Sequence, residues 1–296
     1  MGQIVSNLLQ RFRSGSILLK FIYINSSLFV LTNIVIIILS LFNISIGEWL
    51  NWLYLPANVG GLIYKPWTLI TYMFLHKDIM HLLFNMIWLY WFGSIFTTYF
   101  SERTLGGLYI LGGIFGAILF ILAYNVFPLF APFANSSILL GASASVLAVV
   151  VATAMRVPDM RVQLIFVGSI KLKWIAIAIL LLDLLSITSN NAGGHWAHLG
   201  GALAGYIFSI YWKKGKDITS GINRLVDMFV NLFVPRKPKL KVKVNRSARP
   251  ESDMEYRQRI AKNSEEIDKI LDKVKESGYA SLTPEEKKRL FDASGR

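Results

Sequence analysis

The sequence predicts an all-α polytopic membrane protein with six transmembrane helices and a small helical cytoplasmic tail. Hydrophobic residues make up 54% of the chain and charged residues only 17%, which is too apolar for an ordinary soluble domain. Charge is concentrated near the C-terminus: residues 1–212 hold 10 Lys/Arg and 5 Asp/Glu, whereas the remaining 84 residues hold 21 and 13. The apolar part contains a series of uncharged stretches, several of them long enough to cross a bilayer.

The uncharged stretches set the positions of the spans. A transmembrane helix needs about 20 mostly apolar residues. The uncharged stretch from Leu105 to Met155 is long enough for two spans, and Pro128 and Pro132 interrupt it. The Val157–Pro158 step is expected to end the fourth span, because residues before proline avoid helical geometry. We place the six spans near residues 21–47, 79–100, 105–127, 141–156, 172–188 and 195–212.

The distribution of basic residues among the loops predicts the orientation. Three of the loops between spans hold only two basic residues, Lys65 and Lys77. The other connecting segments hold Arg11, Arg13, Lys20, Arg103, Arg156, Arg161, Lys171, Lys173, Lys213, Lys214 and Lys216. Because basic residues stay on the cytoplasmic side, both termini are predicted to be cytoplasmic. We expect a multi-pass protein of a bacterial inner membrane whose first span is retained.

Four segments follow from this organisation: a cytoplasmic N-terminal segment at 1–20, a six-span domain at 21–212, an amphipathic helix and basic linker at 213–249, and a small charged helical hairpin at 250–296. The two hairpin helices are expected to begin near Asn263 and Thr283, where capping patterns occur. The apolar residues that recur at helical spacing in the amphipathic helix are Ile222, Leu225, Val226, Phe229 and Phe233.

The basic linker holds seven Lys/Arg and no acid between Arg236 and Arg249. Anionic lipid is the expected partner of this linker, with a simply solvated linker as the alternative. The net charge of +13 fits cytoplasmic retention and anionic lipid, and no nucleic-acid partner is expected.

Polar groups inside spans are costly and are usually functional. The candidates are a Gly141-Ala142-Ser143-Ala144 step, the pair His81 and Asn85, His198, and Asp183. In the predicted topology, spans two, four and six all run inward. Ser143, His198 and the His81/Asn85 pair therefore share one depth near the outer face.

The spacing of these residues indicates nucleophilic chemistry. His81 and Asn85 are four residues apart, so their side chains lie on one helix face and can donate hydrogen bonds to one point. His198, Gly201 and Gly205 also share a face, and glycines four residues apart let a second helix approach closely. The helix that carries Ser143 could thus bring its hydroxyl to His198. A lone serine in a span more often bonds its own backbone, but the combined pattern favours Ser143 as nucleophile and His198 as general base.

The motifs together resemble the rhomboid family of intramembrane serine proteases. The resemblance rests on Gly141-Ala142-Ser143-Ala144, on His76-x4-His81-x3-Asn85, and on Ala197-His198-x2-Gly201-x3-Gly205, and it covers about residues 20–212. It implies a catalytic dyad of Ser143 and His198. It also implies an oxyanion hole formed by His81, Asn85 and the Ser143 backbone N–H.

By the same resemblance, the protein is expected to be a serine endopeptidase that needs no cofactor or metal. Its substrates are expected to be other membrane proteins, cut near the external face in a transmembrane segment that is easily unwound. Gly141, Gly201 and Gly205 are expected to support the close helix packing around the site.

The sequence departs from the family pattern at three positions. The first loop reads Trp67-Thr68 where the family often has Trp-Arg, and Ala144 follows the serine where many members have glycine. Leu147 stands where many members have an aromatic residue that packs on the base, so His198 is expected to be held differently. Asp183 lies near the outer end of span five, and it either orients the base or makes a structural hydrogen bond; the resemblance to a dyad enzyme favours the structural role.

Two other functions fit parts of the pattern. His76, His81, His195 and His198 all lie near the outer face and could ligate a metal, as in a transporter or sensor. Against this, His76 and His81 are five residues apart and are therefore expected on different faces of a helix, and no HExxH motif accompanies them. The second alternative is a catalytically inactive rhomboid relative that only binds membrane proteins. Such a relative is expected to lack the serine or the histidine, and this chain has both.

Overall fold

The computed structural model describes residues 15–44, 47–164, 168–233 and 252–294, and helices dominate these residues. The helices are α1 (Ile17–Leu41), α2 (Gly47–Leu50), α3 (Val59–Tyr64), α4 (Thr68–Thr71), α5 (Ile79–Tyr99), α6 (Glu102–Val126), α7 (Ser143–Arg156), α8 (Leu172–Leu185), α9 (Ala192–Lys213), α10 (Thr219–Phe233), α11 (Asp253–Ser277) and α12 (Pro284–Ser294). Short 3₁₀ turns lie at Tyr72–Phe74, Ala131–Phe133 and Tyr279–Ser281.

Two small antiparallel ladders interrupt the helical pattern. They consist of β1 (Leu55–Pro56), β2 (Ile138–Leu139), β3 (Arg161–Leu164) and β4 (Gly168–Lys171). β1 pairs with β2, with Leu55 opposite Leu139, and β3 pairs with β4, with Arg161 opposite Lys171. The first ladder joins the loop before α3 to the loop before α7, and Ile138 and Leu139 of β2 line the cavity described below.

Side-chain caps fix the starts of the long helices. Ser16 accepts a hydrogen bond from the Leu19 amide at the start of α1, and Ser101 accepts one from the Thr104 amide at the start of α6. Asp78 caps α5 by accepting from the His81 amide at 2.8 Å. Because such caps satisfy backbone donors that have no partner within the helix, they define where each helix begins.

Three of the described helices, α1, α5 and α6, are long and apolar enough to cross a membrane. Only Leu18 and Asn25 of α1 are buried, and its exposed side chains include Leu31, Ile34 and Ile37. An apolar surface of this extent is rare on soluble monomers.

Compared with the predicted spans, α1 begins and ends earlier, at Ile17–Leu41 instead of 21–47. α8 ends at Leu185 instead of near 188.

α7 lies at the centre of the bundle. Every residue from Ala144 to Ala154 is buried, and glycines on two neighbouring helices face it. A Cβ atom built on Gly112 of α6 would lie 2.5 Å from the Ala148 Cβ, and one built on Gly205 of α9 would lie 2.3 Å from the Ala148 carbonyl oxygen. Such contacts are possible only where the glycines lack a side chain, so α6 and α9 hold α7 between them.

α10 packs against the N-terminal part of α6. A Cβ atom on Gly107 would lie 2.6 Å from Thr219, and Arg103 forms an ion pair with Asp227. Leu225 and Val226 of α10 are exposed, and both belong to the apolar stripe that the sequence predicts for this helix. The basic linker at 236–249 and residues 1–14 of the N-terminal segment lie outside the described residues.

The chain divides into two compact units, residues 1–235 and 236–296. In the second unit, α11 begins at Asp253 behind a capping box of Ser252 and Glu255. The predicted start near Asn263 is therefore wrong, since the earlier and complete box initiates the helix and leaves Asn263 in its interior. Thr283 caps α12 as its sequence predicts. The ion pairs Lys273–Glu286 and Arg289–Glu266 join the two helices.

Candidate active site

A cavity of about 800 Å³ opens between α5, α7, α8, α9 and the loop before α7. Ser143, His198, His81 and Asn85, which the sequence singles out, all line it. The apolar part of the lining includes Phe84, Trp88, Leu139, Val146, Leu147, Val150 and Ile179. Polar groups from distant parts of the chain thus converge in one largely apolar cleft, which is the usual form of a ligand or substrate site.

Ser143 is the first residue of α7 and is half-buried at the cavity wall. The backbone before it is fixed by Gly141, whose N–H donates to the Tyr72 carbonyl at 2.9 Å and whose φ is +125°. A Cβ atom at Gly141 would lie 2.9 Å from His81 Nε2 and 3.7 Å from Ser143 Oγ. Glycine is therefore required at position 141 both by the backbone conformation and by the close approach of the His81 ring. The absence of a side chain at Gly141 lets this ring lie near Ser143.

His198 is held by a hydrogen bond to Asp183. The His198 Nδ1 atom lies 2.8 Å from Asp183 Oδ1, and the His195 Nδ1 atom lies 2.7 Å from the same oxygen. A carboxylate accepts hydrogen bonds, so the proton of each neutral ring is on Nδ1. The Nε2 atom of His198 then carries a lone pair and can accept a proton, as a general base must.

His81 and Asn85 lie one turn apart on α5. Asn85 is 6% exposed, and its amide donates to the His81 carbonyl at 2.8 Å, which leaves a second amide hydrogen for another acceptor. The Lys77 N–H points at His81 Nδ1 over a long 3.5 Å. This contact favours the tautomer with hydrogen on Nε2, the ring nitrogen that lies close to Gly141. Both side chains can therefore donate hydrogen bonds.

His76 does not lie where helical spacing suggests. α5 begins at Ile79, so His76 precedes the helix, and its ring packs edge-on against the His81 ring with centroids 5.1 Å apart. Burial, followed by the neighbouring His81, lowers the pKa of His76 to about 4. His76 is thus a neutral ring that supports His81. The interpretation that it lies on a separate face from His81 is wrong, because the Asp78 cap begins the helix after it.

The two glycines that follow His198 bring α9 against α7. A Cβ atom at Gly201 would lie 2.0 Å from the Ala144 carbonyl oxygen, and Gly205 makes the equivalent contact one turn further along. The sequence-based prediction omits the matching pair on α6, Gly112 and Gly116, which face Ala148 and Ala144. Their spacing of four residues is the same signal as that of Gly201 and Gly205, so it is visible in the sequence.

Asp183, His195 and His198 offer one ligand atom each within 4.8 Å of one another, and these three side chains could hold a metal ion. This group differs from the four-histidine set suggested by sequence. Within the part of the chain that the structure describes, His76 and His81 belong to no such group. The carboxylate that completes the group is Asp183, which lies too far from the histidines in sequence for a spacing motif to connect them.

Comparison with known proteins finds a match for each unit of the chain. Residues 63–214 match the model of the Rhomboid domain, and residues 251–296 match a family of unknown function, DUF6576. RHOMBOID-like protein 12, mitochondrial, from Arabidopsis thaliana is 30% identical over 158 residues. That match covers 50% of this chain and 47% of the relative, so the chain spans about half the length of the curated relative it matches.

The matched domain contains α5 to α9, and hence the cavity and every residue proposed for the site. Together with the long apolar helices, the match identifies an integral membrane protein of mostly helical structure. The chain therefore belongs to the rhomboid family, a family of intramembrane proteases.

Proposed function

We propose that this protein is an intramembrane serine endopeptidase in which Ser143 is the nucleophile and His198 the general base. The observation that carries the proposal is the convergence of Ser143 and His198 on one cavity with two candidate oxyanion donors, His81 and Asn85. The hydrogen bond from His198 Nδ1 to Asp183 supports the role of base, because it leaves Nε2 free to accept the serine proton.

The proposal includes six spans, formed by α1, α5, α6, α7, α8 and α9, with both termini in the cytoplasm. α7 has 14 residues and is about 21 Å long, whereas the hydrocarbon core is about 30 Å thick. If Arg156 at its end reaches the cytoplasmic surface, Ser143 lies about 10 Å beneath the outer surface. The short helix thus supports a site inside the membrane but in its outer half, where water can enter from outside.

The proposed reaction is acyl transfer. Ser143 Oγ attacks the peptide carbonyl carbon while its proton passes to His198 Nε2. His198 then gives this proton to the departing amine, and the acyl group remains on Ser143. Water repeats the sequence with His198 as base, which releases the acid product and restores the serine. His81, Asn85 and the Ser143 backbone N–H are proposed to hold the oxyanion in both steps.

The proposed substrates are transmembrane segments of other proteins. A peptide bond within a regular helix is shielded by the helix and has its carbonyl in a hydrogen bond, so the segment must unwind locally to reach Ser143. Glycine or proline near the cleavage point is therefore expected to favour cleavage, because both weaken helices. The apolar cavity lining suits a segment that arrives from lipid.

The proposal is tested by cleavage of a reporter in reconstituted vesicles. The reporter carries one transmembrane helix with a Gly-Pro pair either in its outer third or in its inner third, and products are identified by mass spectrometry. We expect cleavage of the first reporter within its outer third and little cleavage of the second. Preferred cleavage in the inner third, or cleavage restricted to soluble peptides, would contradict the proposal.

A second experiment tests the oxyanion donors. Asn85→Ala is expected to lower kcat by about 100-fold while KM changes little, because the donor acts on charge that develops in the transition state. His81→Ala is expected to have an effect of similar size. The double variant should lower kcat by a larger factor than either single variant. That factor should be smaller than the product of the two single factors, since both donors serve one oxygen.

Ser94→Ala is the matched control for these variants. Ser94 is an exposed residue on the same helix, and its hydroxyl bonds the Tyr90 carbonyl within the helix. We expect wild-type kcat for this variant. An Asn85 or His81 variant with wild-type kcat, at equal amounts of folded protein, would remove that residue from the oxyanion hole.

Anionic lipid is proposed as the partner of the basic linker at 236–249. The exposed apolar side of α10 supports this, because it would bring the start of the linker to the inner membrane surface. A peptide of residues 219–249 should bind vesicles that contain phosphatidylserine, and salt should weaken its binding. Equal binding to neutral vesicles would contradict a role for the basic residues.

A further inference from the structure

We infer that Asp183 is a positioning residue for His198, so that the proposed dyad works with a third, carboxylate member. The inference rests on the proposed function, because it assigns Asp183 a role in that reaction. It goes further in naming what holds the base in this chain, where Leu147 replaces the aromatic residue that the resemblance leads one to expect.

The geometry joins the last turn of α8 to the first turns of α9. Asp183 is 5% exposed, and its Oδ1 atom lies 2.8 Å from His198 Nδ1. His195, one turn before His198 on the same helix face, donates to the same oxygen at 2.7 Å. A buried carboxylate is stable only when it is well hydrogen-bonded, and the two imidazole N–H groups supply these bonds to one oxygen of Asp183.

This arrangement has two consequences for the reaction. The bond at Nδ1 fixes the ring orientation and the tautomer that leaves Nε2 as the acceptor. When His198 takes the serine proton it becomes an imidazolium, and the adjacent carboxylate then stabilises its positive charge. Both effects are those of the aspartate in serine protease triads. The bond to Asp183 would therefore assist the chemical step while contributing little to substrate binding.

Among the described residues, the side-chain hydrogen bond that the structure gives His198 is the one to Asp183. Leu147 and Ile179 line the same cavity, and aliphatic side chains do not fix the rotation of an imidazole ring as a hydrogen bond to a charged group does. The ring contact that the structure gives His198 is with His195, edge-on at 6.0 Å between centroids. His195 is hydrogen-bonded to the same carboxylate oxygen, so Asp183 orients both histidine rings.

The test compares Asp183→Ala, Asp183→Asn and His195→Ala in the full-length protein, with kcat and KM measured separately on the cleaved reporter. Asp183→Ala is expected to lower kcat by up to about 10⁴-fold, with KM within about 3-fold of wild type. Asp183→Asn has no charge, and its amide N–H can donate to His198 Nδ1 and select the other tautomer, so its kcat should fall about as far. The rate at which a fluorophosphonate labels Ser143 should fall in parallel with kcat.

His195→Ala is the comparison variant, because it removes one of the two donors to Asp183 and leaves the Asp183–His198 bond. We expect its kcat to fall by clearly less than that of Asp183→Ala, because the bond that orients His198 is still made. If His195→Ala is as damaging as Asp183→Ala, the pair is a structural link between α8 and α9, and the inference is wrong. The inference would also be wrong if a folded Asp183→Ala or Asp183→Asn protein had the kcat of wild type.

A chelator and the dyad variants complete the test. The chelator should leave kcat unchanged; loss of activity that zinc restores would mean that the three side chains hold a metal, and would overturn the inference. Ser143→Ala and His198→Ala are measured in parallel. If these two retain activity, the proposed function itself fails, whereas activity lost in them but retained in the Asp183 variants overturns only the role of Asp183.

Discussion

Ser143→Ala and His198→Ala are each expected to lower cleavage of the transmembrane reporter by about 10⁴-fold or more, because serine proteases lose most of their rate when either group is removed. Neither substitution should unfold the protein. Ser143 lies at the start of α7, where it lines the cavity, and His198 also lines the cavity and is partly exposed. The measurement is the rate of cleavage at equal amounts of purified, folded protein.

Ser145→Ala is the control for the serine variant. Ser145 lies two residues beyond Ser143 and is fully buried, and its hydroxyl has no hydrogen-bond partner among the described residues. Removing that hydroxyl should leave activity unchanged and should not destabilise the fold. If Ser145→Ala loses activity while Ser143→Ala keeps it, the nucleophile has been assigned to the wrong serine.

The second large effect is expected from Gly201→Ala, which adds a single methyl group. That Cβ atom would lie 2.0 Å from the Ala144 carbonyl oxygen, and a backbone atom of a buried helix cannot move aside as a flexible side chain can. We expect a loss of about 3 kcal/mol in the free energy of unfolding, at the upper end of typical overpacking costs. We also expect loss of cleavage, since α9 would move away from α7 and carry His198 from Ser143.

Gly221→Ala is the matched control for this variant. Gly221 lies in α10, and nothing lies within 4 Å of a Cβ atom built there. Replacing a helical glycine by alanine in open space should stabilise the helix by about 0.5–1 kcal/mol. Thermal unfolding in detergent therefore should show shifts of opposite sign for the two variants. A Gly201→Ala protein as stable and active as wild type would contradict the close packing of α7 and α9.

Much of the site is predictable from local spacing. His81 and Asn85, four residues apart, share a helix face, and Gly201 and Gly205 mark a close approach of two helices. These patterns are visible because a helix repeats every 3.6 residues. The same logic applies to Gly112 and Gly116, which have the same spacing and pack on α7 from α6.

Contacts between separate helices are not predictable in the same way. The bond between Asp183 and His198 joins α8 to α9 across a turn, and no periodic pattern relates the two residues. The prediction for His76 is wrong for a different reason: the Asp78 cap begins α5 after it, so a helical wheel does not apply to His76. The start of α11 differs because the capping box at Ser252 lies before the segment whose apolar pattern is clear.

The most direct test of the central claim is covalent labelling of the nucleophile. The detergent-solubilised protein is treated with a fluorophosphonate, which reacts with activated serines, and the modified residue is identified by mass spectrometry. We expect one modified residue, Ser143, with labelling lost in Ser143→Ala and strongly reduced in His198→Ala. Labelling of another serine, or unchanged labelling of Ser143 when His198 is replaced by alanine, would contradict the assignment of Ser143 and His198 as nucleophile and base.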